Sequence, residues 1–181
     1  MSTQTESLNK LFWGRVDVHQ VYSLFNYQKG NQVQDLLHLI KYQKKTKLAE
    51  HLGERLAEEI PKSGLDMIIP IPLHPKKLRK RGFNQSTLIA RGIHKRLQVP
   101  INEKLVKRVK HNPSQTTVSK YDRWENVRSI FDVSDHEKLK NKHLLIVDDV
   151  LTTGATIEAC VKQLIGIEGC KVSIATLAAR I

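Results

Sequence analysis

Residues 143–156 read HLLIVDDVLTTGAT. Four apolar residues, Leu144, Leu145, Ile146 and Val147, lead into the adjacent acids Asp148 and Asp149. A short apolar pair follows, and then Thr152, Thr153, Gly154, Ala155 and Thr156. A short, unbroken apolar run bounded by small residues is the pattern of a strand buried on both faces. The sequence after Gly154, ATIEACVKQLI (155–165), has helical spacing. The stretch therefore reads as a strand that ends in two carboxylates, a turn, and a helix.

The flanking sequence supplies the rest of an α/β pattern. Val33, Leu36, Leu37 and Ile40 follow helical spacing, as do Leu48, Leu52, Leu56 and Ile60, with Pro61 directly after. LDMIIPIP (65–72) reads as a buried strand whose prolines mark its exit into a loop. STLIARGIHKRL (86–97) is a helix with Asn84 or Ser86 as N-cap. LVKRV (105–109) and CKVSIATLA (170–178) are further strands. The polar stretch 110–129 has no clear period and reads as a functional or disordered loop. Strands alternating with helices predict a central parallel sheet flanked by helices, with ligands at the carboxyl ends of the strands. Residues 1–11 are polar and expected to be loose, leaving 12–181 as one domain.

Bulk composition narrows the partners. The chain has 181 residues, 40% of them hydrophobic, enough for a single buried core. No apolar run approaches the ~20 residues that span a bilayer, so membrane insertion is not expected. The N-terminus lacks a signal-peptide pattern. Cys160 and Cys170 match no zinc spacing and form no disulfide framework, which predicts reduced thiols and a cytoplasmic location. The balance of 30 Lys+Arg against 18 Asp+Glu gives a formal charge of +12 and favours a polyanionic ligand. The positive charge is concentrated: Lys76, Lys77, Arg79, Lys80 and Arg81 are nearly contiguous, and no acid occurs between Asp66 and Glu103.

At the carboxyl end of a strand, the threonine turn offers hydroxyls, a glycine and the free N–H groups of a helix start, which together can cradle a phosphate. Two carboxylates beside a phosphate would repel it unless they face neutral donors. Vicinal hydroxyls are the natural partners, so a ribose 5-phosphate fits the layout.

LLIVDDVLTTGATI resembles the phosphoribosyl pyrophosphate (PRPP) binding motif of type I phosphoribosyltransferases. The resemblance implies that fold, with a small hood that residues 21–60 would build over the acceptor. It places Asp148 and Asp149 on the ribose hydroxyls as catalytic residues, and Thr152, Thr153, Gly154, Ala155 and Thr156 on the 5-phosphate. A second segment, PIPLHPKKLRKRGFNQSTLIARGI (70–93), is similar to the signature of the ComF family of these proteins, as are the spaced positions Gln115, Arg123, Asn126 and Phe131. ComF members commonly begin with a four-cysteine zinc segment. No such cysteines precede LFWGRV here, so no zinc is expected.

The resemblance implies a pyrophosphate-binding loop at about 70–76, with Leu73, His74, Pro75, Lys76 and Arg81 as its candidate residues. His74 stays open between ligand contact and a hydrogen bond within the turn. Lys120, Tyr121 and Arg123 are candidates for a lid that excludes water. Trp124 and Phe131 are expected to pack rather than stack on a base. Substrate-bound Mg²⁺ is implied, with no dedicated protein metal site. Three functional readings remain open: phosphoribosyl transfer to an unknown acceptor, a non-catalytic PRPP or nucleotide sensor, and a single-stranded DNA-binding accessory of DNA uptake. The DNA-uptake machinery and a homodimer are the macromolecular partners considered.

Overall fold

The computed structural model describes residues 3–109 and 130–180. In chain order the elements are α1 (Thr3–Lys10), β1 (Gln20–Asn26), α2 (Gln32–Tyr42), α3 (Thr46–Leu56), β2 (Met67–Pro70), α4 (Pro75–Arg81), α5 (Gln85–Leu97), β3 (Val106–Arg108), β4 (Phe131–Val133), β5 (His143–Leu151), α6 (Ala155–Val161) and β6 (Lys171–Ala179). The main sheet has the order β1-β6-β5-β2 and every pairing is parallel. All four strands therefore end on one edge. β3 and β4 form a separate antiparallel pair.

Alternation along the strands sends their side chains into two cores. Leu145 and Val147 of β5 join Ile68, Ala175 and Leu177 against α2, α3 and α5. Leu144 and Ile146 join Ile69, Val172 and Ile174 against α1 and α6, together with Phe131 of β4. Both faces of β5 are covered, which is why its sequence is an apolar run rather than an alternation.

The structure differs from the sequence reading in four places. β5 does not end at the acids but continues to Leu151, because β6 stays beside it and pairs Val150 with Ala178 and Leu151 with Ala179. Residues 3–10, expected to be loose, form α1, held by Leu8, which is buried in the α6-side core, and by Asn9 Oδ1, which accepts from Val21 N–H at 2.9 Å. β1 went unread because QVYSLFN mixes polar and apolar residues as an edge strand does; the segment 21–60 thus begins with a strand of the main sheet. The helix after Gly154 is also shorter than its periodicity suggests: α6 closes at Val161.

Helices α3 and α5 touch backbone to backbone. A Cβ built on Gly92 would lie 2.0 Å from Glu50 O, and one on Gly53 2.2 Å from Ile89 O. This close crossing seats α5 tightly, and its first turn reaches the carboxyl edge of the sheet. There Asn84 caps α5, its Oδ1 accepting from Ser86 N–H at 3.2 Å while its amide donates to Ile71 O at 2.9 Å.

Candidate functional site

The carboxyl edge of β5 carries the acid doublet and the threonine turn. Asp148 lines a small hollow of 40 Å³ together with residues 150–157. Its Oδ1 accepts from Ser86 Oγ at 3.0 Å and from the Asp149 N–H at 2.9 Å. Burial, followed by the neighbouring Asp149 carboxylate, pushes its pKa up to about 7. Asp149 turns to the other face of the sheet and is 4% exposed. Lys41 Nζ, from the last turn of α2, lies 2.8 Å from its Oδ2, a charge contact outside hydrogen-bond angles that leaves the oxygen without a hydrogen bond.

Gly154 sits at φ +77°, a conformation that a side chain resists. Thr152, Thr153 and Ala155 are exposed at the rim of the hollow, while Thr156 is half-buried. The turn is braced from behind. Arg15 Nη1 donates to Thr153 O at 3.0 Å and the same guanidinium pairs with Glu158 of α6. A Cβ on Gly154 would lie 3.3 Å from the buried Phe12 ring. The hollow, small exposed hydroxyls and fixed turn suit a compact tetrahedral anion.

The segment 73–76 starts where β2 leaves the sheet beside β5: Ile71 N–H donates to Val147 O at 2.9 Å, one residue before Asp148. His74 is the N-cap of α4, its Nδ1 accepting from Lys76 N–H at 3.2 Å. Its side chain thus has a structural task, while Leu73 and Pro75 are half-buried and Lys76 is exposed. The Arg81 guanidinium bonds Gln85 Oε1 and lies 5.6 Å from the centre of the Tyr42 ring. Lys120, Tyr121, Arg123, Gln115, Asn126 and Trp124 lie outside the described residues. Phe131 is buried in the core, as its packing role requires.

Sequence reasoning missed Lys41, Ser86, Arg15 and Phe12. All four approach the site from elements distant in sequence. Only Ser86 carried a signal, its place in a helix start, and that pointed to capping rather than to Asp148.

Comparison with known proteins agrees with this geometry. The phosphoribosyl transferase domain family matches residues 84–181, just over half of the chain. Competence protein F of Haemophilus influenzae is 34% identical over 106 residues, covering 57% of this chain and 46% of that protein. DNA utilization protein YhgH of Escherichia coli K12 is 30% identical over 129 residues, covering 67% of this chain and 56% of that protein. The chain thus spans about half the length of these curated relatives. Among solved structures, glutamine PRPP amidotransferase from B. subtilis, complexed with ADP and GMP, is similar over 71% of this chain and 25% of that one, with a TM-score of 0.52 and 19% identity, a likeness of fold alone. With the acid doublet and threonine turn at the carboxyl edge of a parallel sheet, the chain belongs to the phosphoribosyl transferase domain family and, within it, to the ComF family.

Proposed function

We propose that the protein binds PRPP and transfers its phosphoribosyl group to an acceptor, releasing pyrophosphate. The observation that supports this reading is the placement of Asp148 beside the hollow of residues 150–157 at the carboxyl edge of the sheet, with Asp149 next to it in β5 on the opposite face. The 5-phosphate occupies the hollow, taking hydrogen bonds from the threonine hydroxyls and the turn's N–H groups. The ribose hydroxyls donate to the two carboxylates, and Lys41 gives way at Asp149. As the bond from the anomeric carbon to pyrophosphate breaks, positive charge grows on the sugar ring, and the carboxylates stabilise it. Negative charge grows on the leaving group, which faces the basic start of α4.

Among the described residues, no group of three His, Cys, Asp or Glu side chains can hold a metal ion. Asp149 Oδ2 makes no hydrogen bond and faces the Lys41 ammonium at 2.8 Å, so it would be open to a Mg²⁺ ion held mainly by substrate oxygens and water only once Lys41 moves aside. Such an ion, when bound, neutralises pyrophosphate charge. The relatives' names, Competence protein F and DNA utilization protein, support a place in DNA uptake, where the acceptor or a protein partner would be found.

The test is pyrophosphate release from PRPP and Mg²⁺ with a panel of bases and amines as acceptors. Acceptor-dependent release is the expected result. PRPP binding with no release for any acceptor assigns the site to sensing instead. Asp149→Asn should weaken PRPP binding in calorimetry and abolish release, since one such electrostatic partner is worth about 2.7–4 kcal/mol in a transition state. Unchanged PRPP affinity in that variant removes the acid from the site.

A further inference from the structure

Among the described residues, Lys41 is the cation paired with Asp149, its Nζ 2.8 Å from Oδ2. The acid is buried, yet Oδ2 takes no hydrogen bond from the ammonium. Charge holds this contact more than geometry does, so a well-aligned donor can replace it once the ammonium has somewhere to go. The helix that carries Lys41 is fixed. Leu37 and Ile40 of α2 are buried, and Tyr42 lies between the His38 ring, whose centre is 4.5 Å away, and the Arg81 guanidinium at 5.6 Å. Any movement therefore falls to the flexible Lys41 stem. Besides touching Asp149, Lys41 lines a cavity of 310 Å³ whose other walls are Tyr42, Lys44, Lys77, Lys80 and Arg81. No carboxylate lines that cavity.

The two positions open to this ammonium have opposite electrostatics. Over Asp149 it neutralises a buried carboxylate that would otherwise be an unpaired charge. Turned into the cavity it would meet the like charges of Lys44, Lys77, Lys80 and Arg81, so in the free protein it stays on the acid. A polyanion beside the cavity reverses that preference. Under the PRPP reading the pyrophosphate is such a group. The 5-phosphate is not, because it sits in the threonine hollow, and Lys41 does not line that hollow.

We propose that Lys41 is the residue through which the site selects PRPP over ribose phosphates that lack the pyrophosphate. It latches Asp149 until a pyrophosphate draws it into the cavity, and only then can a ribose hydroxyl take the carboxylate. A ligand shifts such an equilibrium only by its differential affinity for the two states, and ribose 5-phosphate offers the ammonium nothing in the released position. Its binding therefore bears the full cost of breaking the pair. Lys41 determines specificity by acting through Asp149, and the inference rests on the PRPP reading of the site.

The test is calorimetry of PRPP and ribose 5-phosphate, with Mg²⁺ present, on the wild-type chain, Lys41→Met and Lys41→Met/Asp149→Asn. Methionine keeps the stem and the helix propensity without the charge. Wild type should prefer PRPP. In Lys41→Met, ribose 5-phosphate should bind roughly tenfold tighter, the scale of one charge-assisted contact no longer to be broken, while PRPP changes little. Adding Asp149→Asn should remove the gain. Lys44→Gln, which takes a cation from the same cavity without touching Asp149, should give no gain. Circular dichroism verifies folding, and Lys41→Gln, with a neutral donor for the buried acid, takes the place of Lys41→Met if that chain does not fold. PRPP binding with an unchanged preference over ribose 5-phosphate in the Lys41 variant overturns the latch and leaves the PRPP reading standing, even if the variant melts earlier. An equal gain in Lys44→Gln overturns it as well, since general charge then explains the effect. A wild-type chain that binds neither ligand overturns the PRPP reading and the latch with it.

Discussion

Asp148 is a residue whose chemistry the fold alters strongly. In an unfolded chain its carboxyl titrates near 3.8; in the fold, burial and then the Asp149 charge lift it to about 7. The folded state therefore holds the proton more tightly, and the stability this contributes is complete below pH 3.8 and lost as pH rises through about 7. Asp148→Asn keeps an acceptor for Ser86 and Asp149 N–H but cannot ionise. It should melt at a higher temperature than wild type at pH 8, with the gap closing as pH falls toward 3.8. A gap that does not change with pH rejects the elevated titration. An ionised carboxylate accepts from hydroxyls more strongly than a protonated one, so under the proposed PRPP reading the affinity measured by calorimetry should rise with pH through about 7 and then level off. The doublet itself was readable as two acids at a strand end. That one is bonded to Ser86 and the other covered by Lys41 was not, because neither partner is local in sequence.

Among the elements, the α3–α5 crossing has the least room for change. Gly92 in a helix interior costs roughly 1 kcal/mol relative to alanine, yet here a methyl group would meet Glu50 O at 2.0 Å and Glu54 N at 2.8 Å. Both obstacles are backbone, so neither can swing aside. Gly92→Ala should lower stability by about 1–3 kcal/mol, as overpacking does, read as an earlier denaturant midpoint. A midpoint equal to or later than wild type contradicts the close crossing. The surface pairs of Lys95 with Glu50 and Glu54 lie across the same seam and add little, being exposed to solvent. The same elements show how local patterns succeed or fail. α2, α3 and α5 were legible because each buries one face at helical spacing, and β2 and β5 because they are short apolar runs. α1 and β1 were not, since their few buried residues gain partners only through tertiary packing.

Across the whole molecule, the two ends of the sheet respond to pH in opposite senses. At the amino end, His143 Nδ1 lies 2.7 Å from Gly64 O and Nε2 2.8 Å from Ser173 Oγ. A carbonyl only accepts, so Nδ1 carries the proton and a neutral Nε2 accepts from Ser173. The His19 ring edge is 4.9 Å away, with Lys142, Lys171 and Asp66 nearby. Burial, aided by His19 and Lys171 and opposed by the Gly64 bond and Asp66, lowers the pKa of His143 below 6.5. Its contribution is present above pH 6.5 and lost as pH falls through the lower, folded-state value. His143→Gln should flatten the fall in melting temperature below pH 6.5; an identical fall in the variant rejects the assignment. The cysteines take no part in this range, since burial pushes Cys160 up to about 12 and Cys170 up to about 11. No helix among the described residues is long and apolar enough to cross a membrane.

The sequence by itself determined the α/β class, the central strand of residues 143–147, the acids after it and the threonine-glycine turn, because each is written in a local run of residue types. Tertiary structure decided that β5 runs on past its acids to Leu151, that Arg15 and Phe12 buttress the turn from behind, and that Lys41 covers Asp149. It also decided that three of the five cations of the basic run, Lys77, Lys80 and Arg81, line a cavity with the end of α2. These are contacts between residues dozens of positions apart. They depend on how helices settle on the sheet, and no local periodicity encodes that.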